Sequence, residues 1–227
     1  MNTPQEYKPE TGTCLSCLLN RANTKAQLPN PKHKPPILIG LVGKKGSGKN
    51  LAADGLREFE EVAFADPLRE VVNEVFGATF EEMSDRTLKE QKLDRFPFES
   101  PRHLLQQIGT NLFRQDWPEV WVEHMRRRLT PLTGDMVITD VRFNNEAILV
   151  KELGGFLIRI VCPAVEESLV AKDLHPSETA MESIVVHKTI QNDGSEARLH
   201  ARMNLAILEL TEGRSEGEEL APGEAWK

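Results

Sequence analysis

The sequence is poor in cysteine, has no long apolar run and carries no excess of positive charge. Its three cysteines, Cys14, Cys17 and Cys162, are an odd set too small for a disulfide framework, which indicates a reducing compartment. No apolar run approaches the roughly 20 residues that a membrane helix needs, and no secretory signal opens the chain, so we expect a cytoplasmic protein without a membrane span. The net charge of −7 argues against polymeric nucleic acid as a partner, but not against small phosphates.

Clustered metal ligands are also scarce. The segment CLSC, residues 14–17, supplies at most half of a zinc or redox site, because a second ligand pair is missing. None of the six histidines has a metal-binding spacing such as H-E-x-x-H. We therefore expect no structural metal site in this chain.

Composition divides the chain into three parts. Prolines are concentrated near the N-terminus and end in LPNPKHKPP, so we expect residues 1–35 to form a flexible extension. Residues 211–227 are acidic and without periodicity, which predicts a disordered tail. One domain of ordinary size remains, residues 36–210. Within it, we expect residues 77–100 to form a mobile insertion on the substrate side and residues 163–178 to form a lid.

Apolar strands alternate with amphipathic helices in this domain. The candidate strands are ILIGLVG, EVAFA, MVITDV, GFLIRIVCP and VVHKTIQNDGS. The segments between them have helical periodicity. Strands separated by helices predict an α/β fold, a three-layer sandwich with a mostly parallel five-stranded sheet and helices on both faces. Ligands in such folds bind beyond the carboxyl ends of the strands.

The segment GKKGSGKN follows the first strand and opens a helix. Glycines let successive backbone N–H groups point inward as a nest for an anion, and G-x-x-x-x-G-K is the spacing of a phosphate-binding loop. A plain glycine-rich turn is the alternative, but it leaves the strand and the helix around it unexplained. Lys49 would bridge the β- and γ-phosphates of ATP. The predicted ATP-binding residues are Gly43, Lys44, Lys45, Gly46, Ser47, Gly48, Lys49 and Asn50.

Two residues are candidate ligands for Mg²⁺. The position after Lys49 usually holds Ser or Thr, whose hydroxyl helps to bind the metal, whereas Asn50 offers an amide oxygen. Asp140 ends the strand MVITDV, where a carboxylate would meet Mg²⁺ or its water shell. The alternative is that Asp140 only caps the following helix.

Two arginines near strand ends are candidates for binding an acceptor phosphate. Arg142 follows Asp140 by two residues, and arginine binds phosphate in a planar, bidentate manner. Arg69 lies one turn into the helix of ADPLRE, a suitable place for the same task. A surface salt bridge is the alternative for Arg142, and a helix cap is the alternative for Asp66.

Polar residues repeat every four positions on the helix PRHLLQQIGTNLFR. Arg102, Gln106 and Thr110 can bind a phosphate at one end and a base edge at the other, although most such faces are only solvated. Trp117 and Trp121 are expected to pack in the core rather than stack on a base. The predicted core stripe of this helix is Leu104, Leu105, Ile108 and Leu112.

Taken in order, GLVGKKGSGKN, FADPLRE, PRHLLQQIGTNLFR, VITDVRFNNEA, HPSET and IQNDGS resemble the deoxynucleoside monophosphate kinases of tailed bacteriophages. The resemblance covers about residues 37–208. It implies a P-loop kinase fold that acts on deoxynucleoside 5′-monophosphates with ATP and Mg²⁺, with Lys49, Asp140 and Arg142 as catalytic residues. The substrate contacts that it implies are Asp66, Arg69, Arg102, Gln106, Thr110 and Arg142.

The sequence departs from this family at three positions. Asn50 stands where the family often has Asp or a hydroxyl residue, Asn111 where it has Asp after Gly-Thr, and Cys162 where it has a basic residue. These departures affect the metal ligands, the base selectivity and the cation that a lid contributes. The candidates for that cation are Arg159, Lys172 and Lys44.

The leading hypothesis is transfer of the γ-phosphoryl group of ATP to the 5′-phosphate of a dNMP, giving dNDP and ADP. The expected partners are small molecules, a homodimer is left open, and the location is the host cytoplasm if the chain is phage-encoded. One alternative keeps the fold and changes the acceptor to dephospho-coenzyme A or another small metabolite. Another is a non-catalytic, ATP-binding regulatory module, which Asn50 and Cys162 favour.

Overall fold

The computed structural model describes residues 35–85, 87–93, 99–168 and 180–213, with the side chains of all except residues 167 and 168. The fold belongs to the unit Pro36–Lys227. CLSC and nearly all of the expected extension and tail lie outside the described residues. Their flexibility stays a prediction.

Five parallel strands form one sheet in the order β2–β3–β1–β4–β5. All five strands that the sequence predicts are present, and the prediction of an α/β sandwich with a mostly parallel five-stranded sheet is confirmed. The second strand is shorter than EVAFA, and its last residues instead form the loop that leads to the next helix. The strands are β1 (Leu38–Val42), β2 (Glu60–Val62), β3 (Met136–Val141), β4 (Phe156–Val161) and β5 (Lys188–Gln191).

Helices connect these strands. The last helix ends two residues beyond the expected domain limit at residue 210, with Gly213 after it. None of the helices in the described ranges is both long and apolar enough to cross a membrane. The helices are α1 (Lys49–Asp54), α2 (Asp66–Phe76), α3 (Phe80–Ser84), α4 (Pro101–Gln106), α5 (Arg114–Asp116), α6 (Val120–Leu129), α7 (Asn144–Glu152), α8 (Pro163–Ser168) and α9 (Glu196–Glu212).

Apolar side chains cover both faces of the sheet. Along β1, Leu38 and Val42 contribute to one core, whereas Ile39 and Leu41 contribute to the other, as the alternation of side chains along a strand requires. The first core includes side chains of α2, α4, α6 and α7, and the second includes those of α1 and α9. The helices therefore hold the loops at the carboxyl ends of the strands from both sides.

A π-helical stretch, Gln107–Phe113, lies between α4 and α5. A π-helix takes more residues per turn than an α-helix, so it changes which side chains face the core. The prediction that Leu112 belongs to the core stripe is wrong, because this side chain is 55% exposed, whereas Ile108 is buried. Trp117 is likewise 53% exposed, while Trp121 is buried as expected.

The two segments that we expect to move are partly described. In the insertion, α3 begins with a capping box between Thr79 and Glu82, and a 3₁₀ turn follows at Leu88–Glu90. Of the expected lid, α8 is described, but the rest lies outside the described residues. Movement of either segment stays a prediction.

Candidate active site

Three glycines give the loop between β1 and α1 its shape. Their φ angles are 155° at Gly43, 84° at Gly46 and 98° at Gly48, a region that residues with a side chain rarely adopt. The loop is also tightly packed, since a Cβ at Gly43 would lie 2.5 Å from the Ile160 carbonyl oxygen and one at Gly48 would lie 2.3 Å from Asn192 Nδ2. The glycines therefore belong to a closely folded turn rather than to a flexible spacer.

The lysines of this loop are held by acceptors close to it. Lys49 Nζ donates to the carbonyl oxygens of Gly43 at 2.5 Å and Lys44 at 3.1 Å, so its ammonium lies over the loop itself. Lys45 Nζ pairs with Glu90 Oε1 at 2.7 Å. Lys49 is thus placed where phosphates bound by the loop amides would meet it.

Asn192 holds the loop from the side of β5. Its Nδ2 donates to the carbonyl oxygen of Ser47 at 2.9 Å. The Ser47 hydroxyl is buried and has no hydrogen-bond partner within the described ranges. Asn50 is exposed at the start of α1.

Two of the three candidates for the lid cation already have partners within the described residues. Lys44 Nζ pairs with Glu166 at 2.7 Å and Glu182 at 3.2 Å. Arg159 Nη2 donates to two backbone carbonyls of the segment 180–184, at 3.1 and 2.7 Å. Lys172 lies outside the described residues. The structure therefore gives Arg159 a structural task and leaves the identity of that cation a prediction.

Asp140 ties the end of β3 to the loop that precedes α2. Its Oδ1 accepts from the backbone N–H of Phe64 at 2.7 Å, and its Oδ2 accepts from that of Ala65 at 3.0 Å. The alternative that Asp140 caps the following helix is wrong, because Phe143 occupies the capping position of α7. The carboxylate is thus fixed by two donors at the edge of the sheet.

The donor chemistry of Asp140 and Asn50 fits Mg²⁺. This cation prefers oxygen ligands and is usually bound by one or two protein groups together with substrate phosphates and water. Both Asp140 oxygens already accept a backbone N–H, which favours contact with a metal-bound water over direct ligation. Over the described ranges, no cluster of three acidic, His or Cys side chains could hold a metal by itself. A metal here would therefore need the phosphates of the nucleotide.

A cleft of about 140 Å³ lies between α2, the α4–π-helix segment and the loops after β2 and β3. It brings together residues that are far apart in sequence, and four of them are arginines. The predicted residues that line it are Arg69, Arg102, Gln106, Thr110, Asp140 and Arg142.

Asp66, which the sequence placed among the substrate contacts, does not line this cleft. Its Oδ1 accepts from Arg69 Nη1 at 3.0 Å, and its Oδ2 accepts from Arg128 Nη1 at 3.0 Å and from the backbone N–H of Ala63 at 2.8 Å. Arg69 Nε is buried without a hydrogen-bond partner in the part of the chain that is described. Asp66 therefore orients Arg69, and a contact of its own with the substrate stays a prediction.

Asn111, a departure from the family pattern, also lies away from the cleft. Its side chain is exposed and donates to Gln107 Oε1 at 3.1 Å. The π-helical turn accounts for this, because it shifts the residues after Thr110 relative to an α-helix. The base selectivity, which this departure from the family pattern leaves open, is not decided by this geometry.

A buried ion pair between Arg114 and Glu146 lines the cleft beside the predicted residues. Glu146 is 2% exposed, and its Oε2 also accepts from the backbone N–H groups of Arg142 at 2.7 Å and Phe143 at 3.1 Å. The Arg114 guanidinium lies over the Phe143 ring, 4.2 Å from its centroid, in a cation–π contact. Burial raises the pKa of Glu146 to about 7, although the charge of Arg114 opposes the shift.

Sequence reasoning missed Arg114, Glu146 and Lys89, which all line the cleft. A signal existed for the first two. Arg114 continues the four-residue spacing of the polar ladder after Thr110, and Glu146 stands three residues after the cap of α7, the usual place of a capping glutamate. No periodicity or motif indicated Lys89.

Comparison with known proteins decides the family. A protein of Acanthamoeba polyphaga mimivirus that carries the name deoxynucleotide monophosphate kinase is 38% identical to this chain over 165 residues, which cover 65% of this chain and 83% of the mimivirus protein. The chain belongs to the deoxynucleotide monophosphate kinase family. The resemblance drawn from its motifs is confirmed, and the chain is an ATP-dependent phosphotransferase by family.

A second member of this kinase family comes from a tailed phage. The deoxynucleoside-5′-monophosphate kinase of Escherichia phage T5 is 26% identical over 214 residues, 64% of this chain and 85% of the phage protein. Dephospho-CoA kinase from Campylobacter jejuni is a solved structure with a TM-score of 0.42 and 14% identity, covering 78% of this chain and 98% of that one. A likeness of that degree does not discriminate between acceptors. No family model matches the chain.

Proposed function

We propose that the chain transfers the γ-phosphoryl group of ATP to the 5′-phosphate of a deoxynucleoside monophosphate, giving dNDP and ADP. One observation carries the proposal. Glu90 Oε1 accepts from Lys45 of the phosphate loop at 2.7 Å and from Arg102 of the cleft at 2.5 Å, so a single carboxylate joins the two places. Nucleotides bound in the loop and in the cleft would meet through their phosphates, as phosphoryl transfer requires.

The donor would lie in the glycine loop. The loop amides and Lys49 would bind the β- and γ-phosphates, whose oxygens would replace the two carbonyl oxygens that now accept from Lys49. Asn192 supports this task because it fixes the Ser47 carbonyl and with it the path of the loop. The loop therefore needs little rearrangement to hold a triphosphate.

The acceptor phosphate would lie among Arg69, Arg102 and Arg142. Both reacting groups are anionic, so the main task of the protein is to position them and neutralise their charge in a preorganised site. Asp66 fixes one edge of the Arg69 guanidinium, and Glu146 fixes the backbone of Arg142. Arg102 is held by Glu90, so all three arginines have a contact that positions them before the substrate arrives.

The base would occupy the part of the cleft beside the π-helix. Gln106 and Thr110 line this part, and neither makes a side-chain hydrogen bond to another described residue. Trp121 contributes an apolar surface there, with its Nε1 satisfied by the Gly109 carbonyl at 3.0 Å. Polar groups beside an apolar wall suit a planar base better than a flexible pantetheine arm, which disfavours dephospho-coenzyme A as acceptor.

Mg²⁺ completes the proposal, since it neutralises charge on the phosphates when bound. Asn50 and Asp140 would hold it, Asp140 through a bound water. The lid, the homodimer and the cytoplasmic location stay predictions. Small-molecule substrates follow from the kinase family.

Product identification tests the function. The chain would be incubated with ATP labelled at the γ-phosphate and each dNMP in turn, and nucleotides would be separated by chromatography. We expect label in dNDP, and ADP formation that depends on the acceptor. Labelled inorganic phosphate without labelled dNDP would overturn the proposal and favour the regulatory module.

A further inference from the structure

The 3₁₀ turn Leu88–Glu90 places two opposite charges at the junction of loop and cleft. Lys89 lines the cleft and is half-buried, while Glu90 is turned toward Lys45 and Arg102. The side chain of Lys89 makes no hydrogen bond or ion pair with another described residue. The turn therefore contributes to the cleft a cation that no carboxylate of the described residues pairs with.

The guanidinium groups of Arg69, Arg102 and Arg142 line the same cleft as this ammonium. Burial is the largest influence on it, and the charges of Arg102, Arg69 and Arg142 act in the same direction, so together they lower the pKa of Lys89 to about 8. Glu90 opposes them only weakly, because its carboxylate is hydrogen-bonded to two other cations. The other ionisable groups that line the cleft are Arg114, Asp140 and Glu146.

Four cations converge on one cleft, and although Asp66 pairs with Arg69 and Glu90 with Arg102, neither carboxylate pairs with Lys89. A phosphate dianion among them would restore the charge on Lys89, because an opposite charge nearby favours the protonated amine. A phosphate monoester has a second pKa of about 6, so the acceptor is dianionic above neutral pH. The lining of the cleft and its positive charge thus both indicate a phosphate group as the ligand.

We infer that Lys89 is a fourth cation that binds the acceptor 5′-phosphate. Its side chain is protonated when the nucleotide is bound, so loss of that proton at high pH sets the upper pH limit of acceptor binding. This inference rests on the proposed function and names a residue that its motifs do not include. Glu90 acts in it as a positioning residue, since its bonds to Lys45 and Arg102 fix the turn that presents Lys89.

Steady-state kinetics between pH 7 and pH 9.5 test the inference on the full chain. In the wild type, KM for the dNMP should rise by about tenfold per pH unit once Lys89 loses its proton, while KM for ATP stays nearly level. Lys89→Arg keeps the charge over this range and should flatten that rise. Lys89→Met should raise KM for the dNMP by about 10- to 100-fold at pH 7, the loss expected for one charged hydrogen bond, and should also flatten the profile.

Lys92→Met is the matched control, because this lysine is exposed in the same segment and does not line the cleft. It should keep the wild-type KM and the wild-type pH profile. An unchanged profile in Lys89→Arg, or an unchanged KM in Lys89→Met, would overturn the inference while leaving the kinase intact. A wild type that forms no ADP with any dNMP would instead overturn the proposed function, and the role of Lys89 with it.

Discussion

Gly109 and Leu68 lie so close that a Cβ at residue 109 would stand 2.4 Å from Leu68 Cδ2. Gly109 belongs to the π-helical stretch, and Leu68 belongs to α2, which also carries Arg69. Both residues line the cleft. This contact sets the distance between the wall that carries the polar ladder and the wall that carries Arg69.

Gly109→Ala should therefore disturb the cleft. The added methyl must displace Leu68, which is buried and has little room, so we expect a loss of about 1–3 kcal/mol in the free energy of unfolding. KM for the dNMP should rise several-fold, because the walls move apart. Urea unfolding and steady-state kinetics measure the two effects. Gly134→Ala is the control, since a Cβ there has no atom within 4 Å, and equal behaviour of the two variants would contradict the argument.

Lys49→Ala should nearly abolish transfer. Loss of one preorganised donor at a site of developing charge typically costs about 100- to 1,000-fold in rate, and we expect at least that loss in kcat/KM. Lys188→Ala removes an exposed lysine that pairs with Glu209 and should leave the rate unchanged. A Lys49→Ala variant that retains the wild-type rate of ADP formation would show that the loop does not bind the donor phosphates.

Arg102→Ala should act on the acceptor. Its guanidinium lies in the cleft and would bind the 5′-phosphate in the ground state as well as in the transition state, so the main effect should be a rise of about 10- to 100-fold in KM for the dNMP. KM for ATP should change little. Arg126→Ala, which removes an exposed ion pair with Glu152 far from the cleft, is the matched variant. A change confined to KM for ATP would show that Arg102 contacts the donor nucleotide instead of the acceptor.

Glu146→Gln tests the buried carboxylate through pH. The pKa of Glu146 is raised from 4.5 to about 7, so the folded chain holds this proton more tightly than the unfolded chain. Its contribution to stability is fully present below pH 4.5 and is lost as pH rises through 7. The stability advantage of wild type over the variant should therefore shrink between pH 5 and pH 8, by roughly 3 kcal/mol. Urea unfolding at both pH values measures it, and an advantage that grows with pH would show that the ionised pair with Arg114 dominates.

The fold and the phosphate loop could be predicted from the sequence because their signals are local. An apolar run followed by glycines at fixed spacing indicates a strand and an anion nest wherever it occurs, and the strand–helix alternation indicates a parallel sheet. The positions of Arg69, Arg102 and Arg142 in one cleft follow from the same rule, since all three lie near the carboxyl ends of strands or on the helix beside them.

The remaining errors come from packing that periodicity does not reveal. Leu112 is apolar at an α-helical core spacing, but the π-helical turn moves it to the surface. Asp66 lies outside the lining of the cleft, where its carboxylate pairs with Arg69 and Arg128. Lys89 lies in a polar segment without any motif, and only the folded chain brings it to three arginines.

The central claim is that a dNMP is the acceptor. ADP formation from MgATP would be measured in parallel with each of the four dNMPs, the ribonucleotides, dephospho-coenzyme A and no acceptor. We predict turnover with one or more dNMPs and none with dephospho-coenzyme A or without acceptor. The account would be contradicted if ADP formed with dephospho-coenzyme A and with no other acceptor. It would also be contradicted if a folded chain that binds ATP formed no ADP with any acceptor.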